Sequence, residues 1–190
     1  MQLWTLLLIK SIIYYGVVSV EENFNPTLEI PVPKIEVSGK NPELAYKLLH
    51  VYAGNVSELT AINQYSFQSF YLNKYKDLIK ILEQIAEVEM RHLKILGELI
   101  CALGLIPYYV TYNCSYKAIP WNADFVDYTT DYRSMLLSNI NSEVTAIKDY
   151  NRLINETNDP NVKDILNRII MDEERHLEIF SELLRQYDNP

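Results

Sequence analysis

Residues 165–184 read ILNRIIMDEERHLEIFSELL, and the segment turns on Glu173-Glu174-Arg175-His176. Glu173 and His176 are three residues apart, so on a helix they are neighbours on one face. Leu166, Ile169, Phe180 and Leu183 share that face. A carboxylate and an imidazole therefore point into what should be core, which is costly unless they are paired or bind a metal. The motif occurs twice. Residues 81–100, ILEQIAEVEMRHLKILGELI, lie 84 positions upstream and agree at 10 of 20 positions. Glu89 and His92 fall on Glu173 and His176.

A second repeat accompanies the first. Residues 57–65, SELTAINQY, precede residues 142–150, SEVTAIKDY, by 85 positions and match at 6 of 9. Each carries one Glu in an apolar stripe, Glu58 or Glu143. The pattern is that of a duplicated helical hairpin, each copy supplying one lone Glu and one Glu-x-x-His.

At 190 residues the chain is long enough for one domain with a substantial core. Apolar residues make up 48% and glycine is scarce, which favours an all-α fold. A net charge of −8 argues against a nucleic-acid partner, because phosphate binding needs a basic face. Cys101 and Cys114 make neither a disulfide framework nor a Cys-x-x-Cys metal ribbon. Cys101, near a helix end, is expected to be a buried small residue.

Residues 1–40 are expected to stand apart from a helical bundle at 41–190. The apolar Met1–Val20 lacks a positive charge ahead of its apolar run and is only just long enough to span a bilayer. An extension, a signal or anchor, and a helix packed on a partner all remain open for it, and a cytoplasmic location is the default. Residues 21–40 hold three prolines and read as an extended lead-in. Asn41-Pro42 suits the start of a short helix to Ala53, ended at Gly54-Asn55. Long helices are expected over about Val56–Asn73, Asp77–Leu103, Asp131–Glu156 and Pro160–Gln186, with a turn near Lys74–Lys76. At about 1.5 Å per residue, folding each hairpin brings its two Glu to one depth. Residues 105–130 must then carry the chain along the bundle between parallel helices, with their aromatic side chains pinning the crossover.

Four Glu and two His at mid-bundle would suit two first-row metal ions, Fe or Mn, with Glu58, Glu89, His92, Glu143, Glu173 and His176 as ligands. Glu87 and Glu174 lack a His three residues on, and His50 lacks a repeated Glu partner. Tyr65 and Tyr150 each follow a lone Glu by two turns on the same face. They are candidates to hydrogen-bond a ligand or donate an electron, with core packing accounting for at least one of them. Asp172, whose counterpart is Val88, is a candidate to orient a His across the bundle, so the two ions would have unequal surroundings.

The order Glu, Glu-x-x-His, Glu, Glu-x-x-His is an established pattern of ferritin-like di-metal carboxylate proteins. On those residues, and from Glu43 onward, the chain resembles the rubrerythrin and manganese-catalase-like branch of that superfamily. The run Glu58–Tyr65 is also similar to the first ligand helix of bacterioferritins. The resemblance implies a four-helix bundle with one long crossover, a bridged di-metal centre, and an oxidoreductase acting on hydrogen peroxide or dioxygen in protection from oxidative stress. It departs from rubrerythrins at Ala146, where they carry an extra Glu, and in having no paired Cys-x-x-Cys module. A peroxidase would thus need an external electron donor, whereas a catalase would not. A non-catalytic iron-handling or coat-type structural protein is the alternative. A tyrosine-rich bundle surface suits a homo-oligomer, with a dimer as the simplest case.

Overall fold

The computed structural model describes residues 25–72, 76–113, 115 and 117–188. Met1–Val20 and Cys114 therefore lie outside the described residues, as do 73–75 in the expected first turn. Among the described residues there are five α-helices: α1 (Pro42–Ala53), α2 (Glu58–Tyr71), α3 (Lys76–Ala102), α4 (Tyr132–Glu156) and α5 (Pro160–Asp188). The last four pack as two hairpins, α2 on α3 and α4 on α5, and α1 lies against α3 and α4.

Local chemistry sets these boundaries. Asn41 caps α1 by accepting from the Leu44 N–H, with Pro42 in the first turn. Ser57 caps α2 through the Thr60 N–H, and Asp131 caps α4 through the Ser134 N–H. Gly104, with φ of 99°, follows the end of α3 in a conformation that a Cβ would strain.

The apolar core is divided in two. Leu96 and Leu99 of α3, and Leu103 just beyond its end, pack with Tyr150 and Leu153 of α4, Ile165 and Ile169 of α5, and the inner face of α1. Leu78, Leu82 and Ile85, near the start of α3, pack with Met135 and Leu136 at the start of α4 and Phe180 and Leu183 at the end of α5. Start packs with start and end with end, so α3 and α4 run parallel. The polar residues considered below lie between the two clusters.

The crossover after α3 is more ordered than a loop. It forms a two-stranded antiparallel hairpin, β1 (Val110–Tyr112) with β2 (Ala118–Pro120), in register Thr111 to Ile119. Its aromatics fasten it as expected. Tyr112 stacks on Tyr46 at 4.0 Å, and the Trp121 indole N–H donates to Thr60 Oγ1 at 2.9 Å. Cys101 is exposed, contrary to expectation. The inward face of α3 there is Leu99, Ile100 and Leu103, and Cys101 falls on the opposite side. No helix among the described residues is long and apolar enough to cross a membrane.

The inner face of α2 is largely polar, where an apolar stripe was expected. Gln64 and Gln68 are buried, and their side-chain amides both donate to Asn139 Oδ1 of α4, at 3.0 and 2.9 Å. Asn139 returns a hydrogen bond to Gln68 Oε1 at 2.8 Å, and Gln64 Oε1 accepts the Asp127 N–H. Asn139→Ala strands two buried amides, so it is expected to cost about 1–3 kcal/mol. A denaturant melt with an unchanged midpoint would show that the ladder carries no stability.

Candidate metal centre

The structure brings all six expected side chains to one depth. Glu58 starts α2, Glu89 and His92 sit mid-way along α3, Glu143 along α4, and Glu173 and His176 along α5. All six are at least 96% buried. They form two overlapping sets, Glu58 with Glu89, His92 and Glu173, and Glu143 with Glu89, Glu173 and His176. Within each set the donor atoms lie within 4.8 Å of one another. Glu89 and Glu173, the two carboxylates of the Glu-x-x-His motifs, belong to both sets.

Both imidazoles turn Nδ1 toward the middle. His92 Nδ1 is 3.2 Å from Glu89 Oε2 and 3.1 Å from Glu173 Oε1. His176 Nδ1 is 3.0 Å from Glu89 Oε1 and 3.2 Å from Glu173 Oε2. Two of these close pairs are not aligned for hydrogen bonding, so Glu89 Oε1 and Glu173 Oε1 are buried without a hydrogen-bond partner. Buried carboxylate oxygens aimed at a common point, beside imidazole nitrogens, are a donor set that fits a pair of first-row metal ions.

The two tyrosines cross between the halves. Tyr65 of α2 donates to Glu143 Oε1 of α4, and Tyr150 of α4 donates to Glu58 Oε1 of α2. Both are buried members of the apolar clusters, where core packing was expected for at least one, and both make this bond as well. Each lone Glu thus has one oxygen occupied and keeps the other for the centre.

Outside the imidazoles the symmetry breaks. His92 Nε2 lies 3.2 Å from Asp172 Oδ2, whereas His176 Nε2 has no hydrogen-bond partner among the described residues. Asp172 also accepts from Thr27 Oγ1 and the Leu28 N–H and pairs with Arg168 at 2.8 Å. Burial works against its charge, but the His92, Arg168 and Leu28 N–H contacts hold its carboxyl well below the usual range. Thr27 and Arg168 escaped the sequence reading. Arg168 has a faint signal, being four residues before Asp172 on one helix face. Thr27 sits in an irregular segment with none.

Electrostatics divide the six groups. Burial first, then the charges of Glu173 and Glu89, push Glu58 and Glu143 well above the usual carboxyl range. Burial opposes ionisation of Glu89 and Glu173 too, and the charge of Glu89 adds to it at Glu173, but the imidazoliums beside them win and lower both. Burial would lower the imidazoles, yet the charge of Glu173 raises His92 and that of Glu89 raises His176. These shifts favour protons on both imidazoles and on Glu58 and Glu143, with Glu89 and Glu173 ionised. The expected outsiders stay outside. Glu87 and Glu174 are exposed, and His50 faces Asp149 at 3.4 Å on the surface.

A small pocket borders the centre; Ala61, Ser142, Ala146, Gln64 and the two lone Glu are among its lining residues, and it has room for about one water-sized molecule. Ala61 and Ala146 are counterparts in the repeat, each three residues after a lone Glu.

Residues 53–184 match the rubrerythrin family. A Clostridium acetobutylicum protein described as a probable manganese catalase is 30% identical over 177 residues, covering 82% of this chain and 76% of that protein. Among solved structures, a manganese catalase from Anabaena superposes with a TM-score of 0.76 at 25% identity, covering 85% of this chain and 80% of that one. A Mycobacterium tuberculosis bacterioferritin, at 22% identity, shares the fold with a TM-score of 0.65 over 79% of this chain and 89% of its own.

Proposed function

Since the chain belongs to the rubrerythrin family, we propose that it is a di-metal oxidoreductase that disproportionates hydrogen peroxide in the manner of a manganese catalase. The observation that carries this reading is the convergence of four buried Glu and two buried His beside a pocket with room for about one water-sized molecule. Similarity to two manganese catalases, one described as probable, supports peroxide over dioxygen as substrate.

In this reading Glu89 and Glu173 are shared between two ions, Glu58 and His92 serve one, and Glu143 and His176 serve the other. When bound, a pair of redox-active first-row metals supplies and takes up the two electrons exchanged with peroxide. The protein does the rest. Tyr65 and Tyr150 hold Oε1 of Glu143 and Glu58, so each carboxylate presents Oε2. The apolar clusters at either end keep bulk water out. One peroxide gives up two protons and two electrons as it leaves as dioxygen, and a second takes them up as it becomes two waters.

Purified protein loaded with Mn(II) or Fe(II) and given peroxide tests this. One dioxygen per two peroxides without reductant is expected. Peroxide loss only when a reductant is added would make it a peroxidase. No turnover with either metal overturns the enzyme reading.

Metal loading should also release protons. Two dications against four carboxylates carry the same zero charge as two imidazoliums against two carboxylates, so up to four protons must leave. They come from His92, His176, Glu58 and Glu143, all of which hold protons above their usual values of 6.5 and 4.5. Protons compete with metal, so apparent affinity is expected to rise as pH increases through neutrality. Calorimetry in buffers of different ionisation enthalpy reads the count, and a pH-independent affinity would contradict it.

A further inference from the structure

The two Glu-x-x-His motifs are copies, but their outer surroundings are not. We propose that Thr27, Arg168 and Asp172 are positioning residues through which the extended segment before α1 holds His92. This makes the His92 half of the centre the tighter and first-filled of two unequal metal positions. The inference rests on the di-metal reading above.

The chain of contacts is continuous. Thr27 Oγ1 donates to Asp172, 2.9 Å from Oδ1 and 3.0 Å from Oδ2, and the Leu28 N–H reaches Oδ1 at 3.0 Å. Arg168 ties the same segment down from the other side. Its Nε donates to the Ile30 carbonyl at 2.9 Å and its Nη2 to the Leu28 carbonyl at 3.0 Å and to Thr27 Oγ1 at 3.2 Å, while Nη1 lies 2.8 Å from Asp172 Oδ1. Asp172 is thus fixed in one orientation, and its other oxygen faces His92 Nε2 at 3.2 Å. A carboxylate at Nε2 takes that nitrogen's proton as a hydrogen bond. It leaves the lone pair on Nδ1, which faces Glu58, Glu89 and Glu173.

The other copy lacks every part of this device. Val88 stands where Asp172 would be and Gln84 where Arg168 would be. His176 Nε2 is accordingly buried with no hydrogen-bond partner among the described residues, so no carboxylate there takes that nitrogen's proton. Partners of this outer kind are worth about 10–100-fold in metal affinity. The two positions are therefore expected to differ by about that factor.

The test is a Mn(II) binding isotherm on the metal-free full chain, read by calorimetry and by the electron paramagnetic resonance of free and bound ion. Wild type should show two steps, the tighter about 10–100-fold stronger. Asp172→Asn should weaken only the tighter step and draw the two together. Thr27→Val, which keeps shape and leaves the helices untouched, should act in the same direction more weakly, with Thr27→Ser restoring wild type. His176→Gln should keep the tight step and His92→Gln should lose it. Two indistinguishable steps in wild type, or a tight step unmoved in both Asp172→Asn and Thr27→Val, overturns the relay while leaving the di-metal centre intact. No Mn(II) bound by wild type overturns the centre and the relay together.

Discussion

Glu173→Gln is expected to reduce metal content from two ions per chain to at most one and to lower peroxide turnover by at least about a hundredfold, beyond what loss of an outer partner does. Glu173 is one of only two carboxylates common to both donor sets, so its charge is lost to both positions at once. Glutamine keeps the volume, and the side chain is enclosed, so the bundle should still form. The matched comparison is Glu143→Gln. Glu143 belongs to one set, and that variant should weaken one ion while sparing the other. Elemental analysis beside oxygen evolution measures both. A Glu173→Gln protein with a full complement of metal would mean that this residue is not shared.

Chelation is the second large effect. Ions that bind only the folded chain stabilise it by about 2.7 kcal/mol each at a free concentration 100 times Kd. For a domain of this size each kcal/mol shifts Tm by about 2–4 °C, so stripping one ion should lower Tm by roughly 5–11 °C. The shift should grow with added metal and shrink in Glu173→Gln to that of at most one ion. The metal-free bundle should still melt cooperatively, because two apolar clusters flank the centre and neither includes a ligand. An unchanged Tm across a metal series would show that nothing binds the native state.

Much of this was legible because a repeated error is hard to make. One Glu-x-x-His on an apolar face has many explanations, but Glu89–His92 and Glu173–His176 at matched depths leave few. The cap at Asn41, with Pro42 behind it, carries local chemistry that sequence displays directly. What stayed hidden depends on contacts far apart in the chain. Gln64 and Gln68 look like surface residues of an amphipathic helix until Asn139 faces them across the bundle. Thr27 looks like part of a linker until Asp172, 145 residues on, accepts its hydroxyl. The strands at Val110–Tyr112 and Ala118–Pro120 are too short for a period to show. Cys101 was misplaced because proximity to a helix end says nothing about which side of the helix it occupies.

The exchanged tyrosines reach further than the ligands they steady. Tyr65 needs an acceptor on α4 and Tyr150 needs one on α2. A polypeptide consisting of one hairpin alone would own a phenol with nothing to donate to and half of a donor set. Two such hairpins could satisfy one another only face to face about a twofold axis, each lending what the other lacks. The crossover makes that self-complementary pairing intramolecular. It is also what allows one half to acquire Asp172 and Arg168 while the other keeps Val88 and Gln84, a divergence that identical partners could never express.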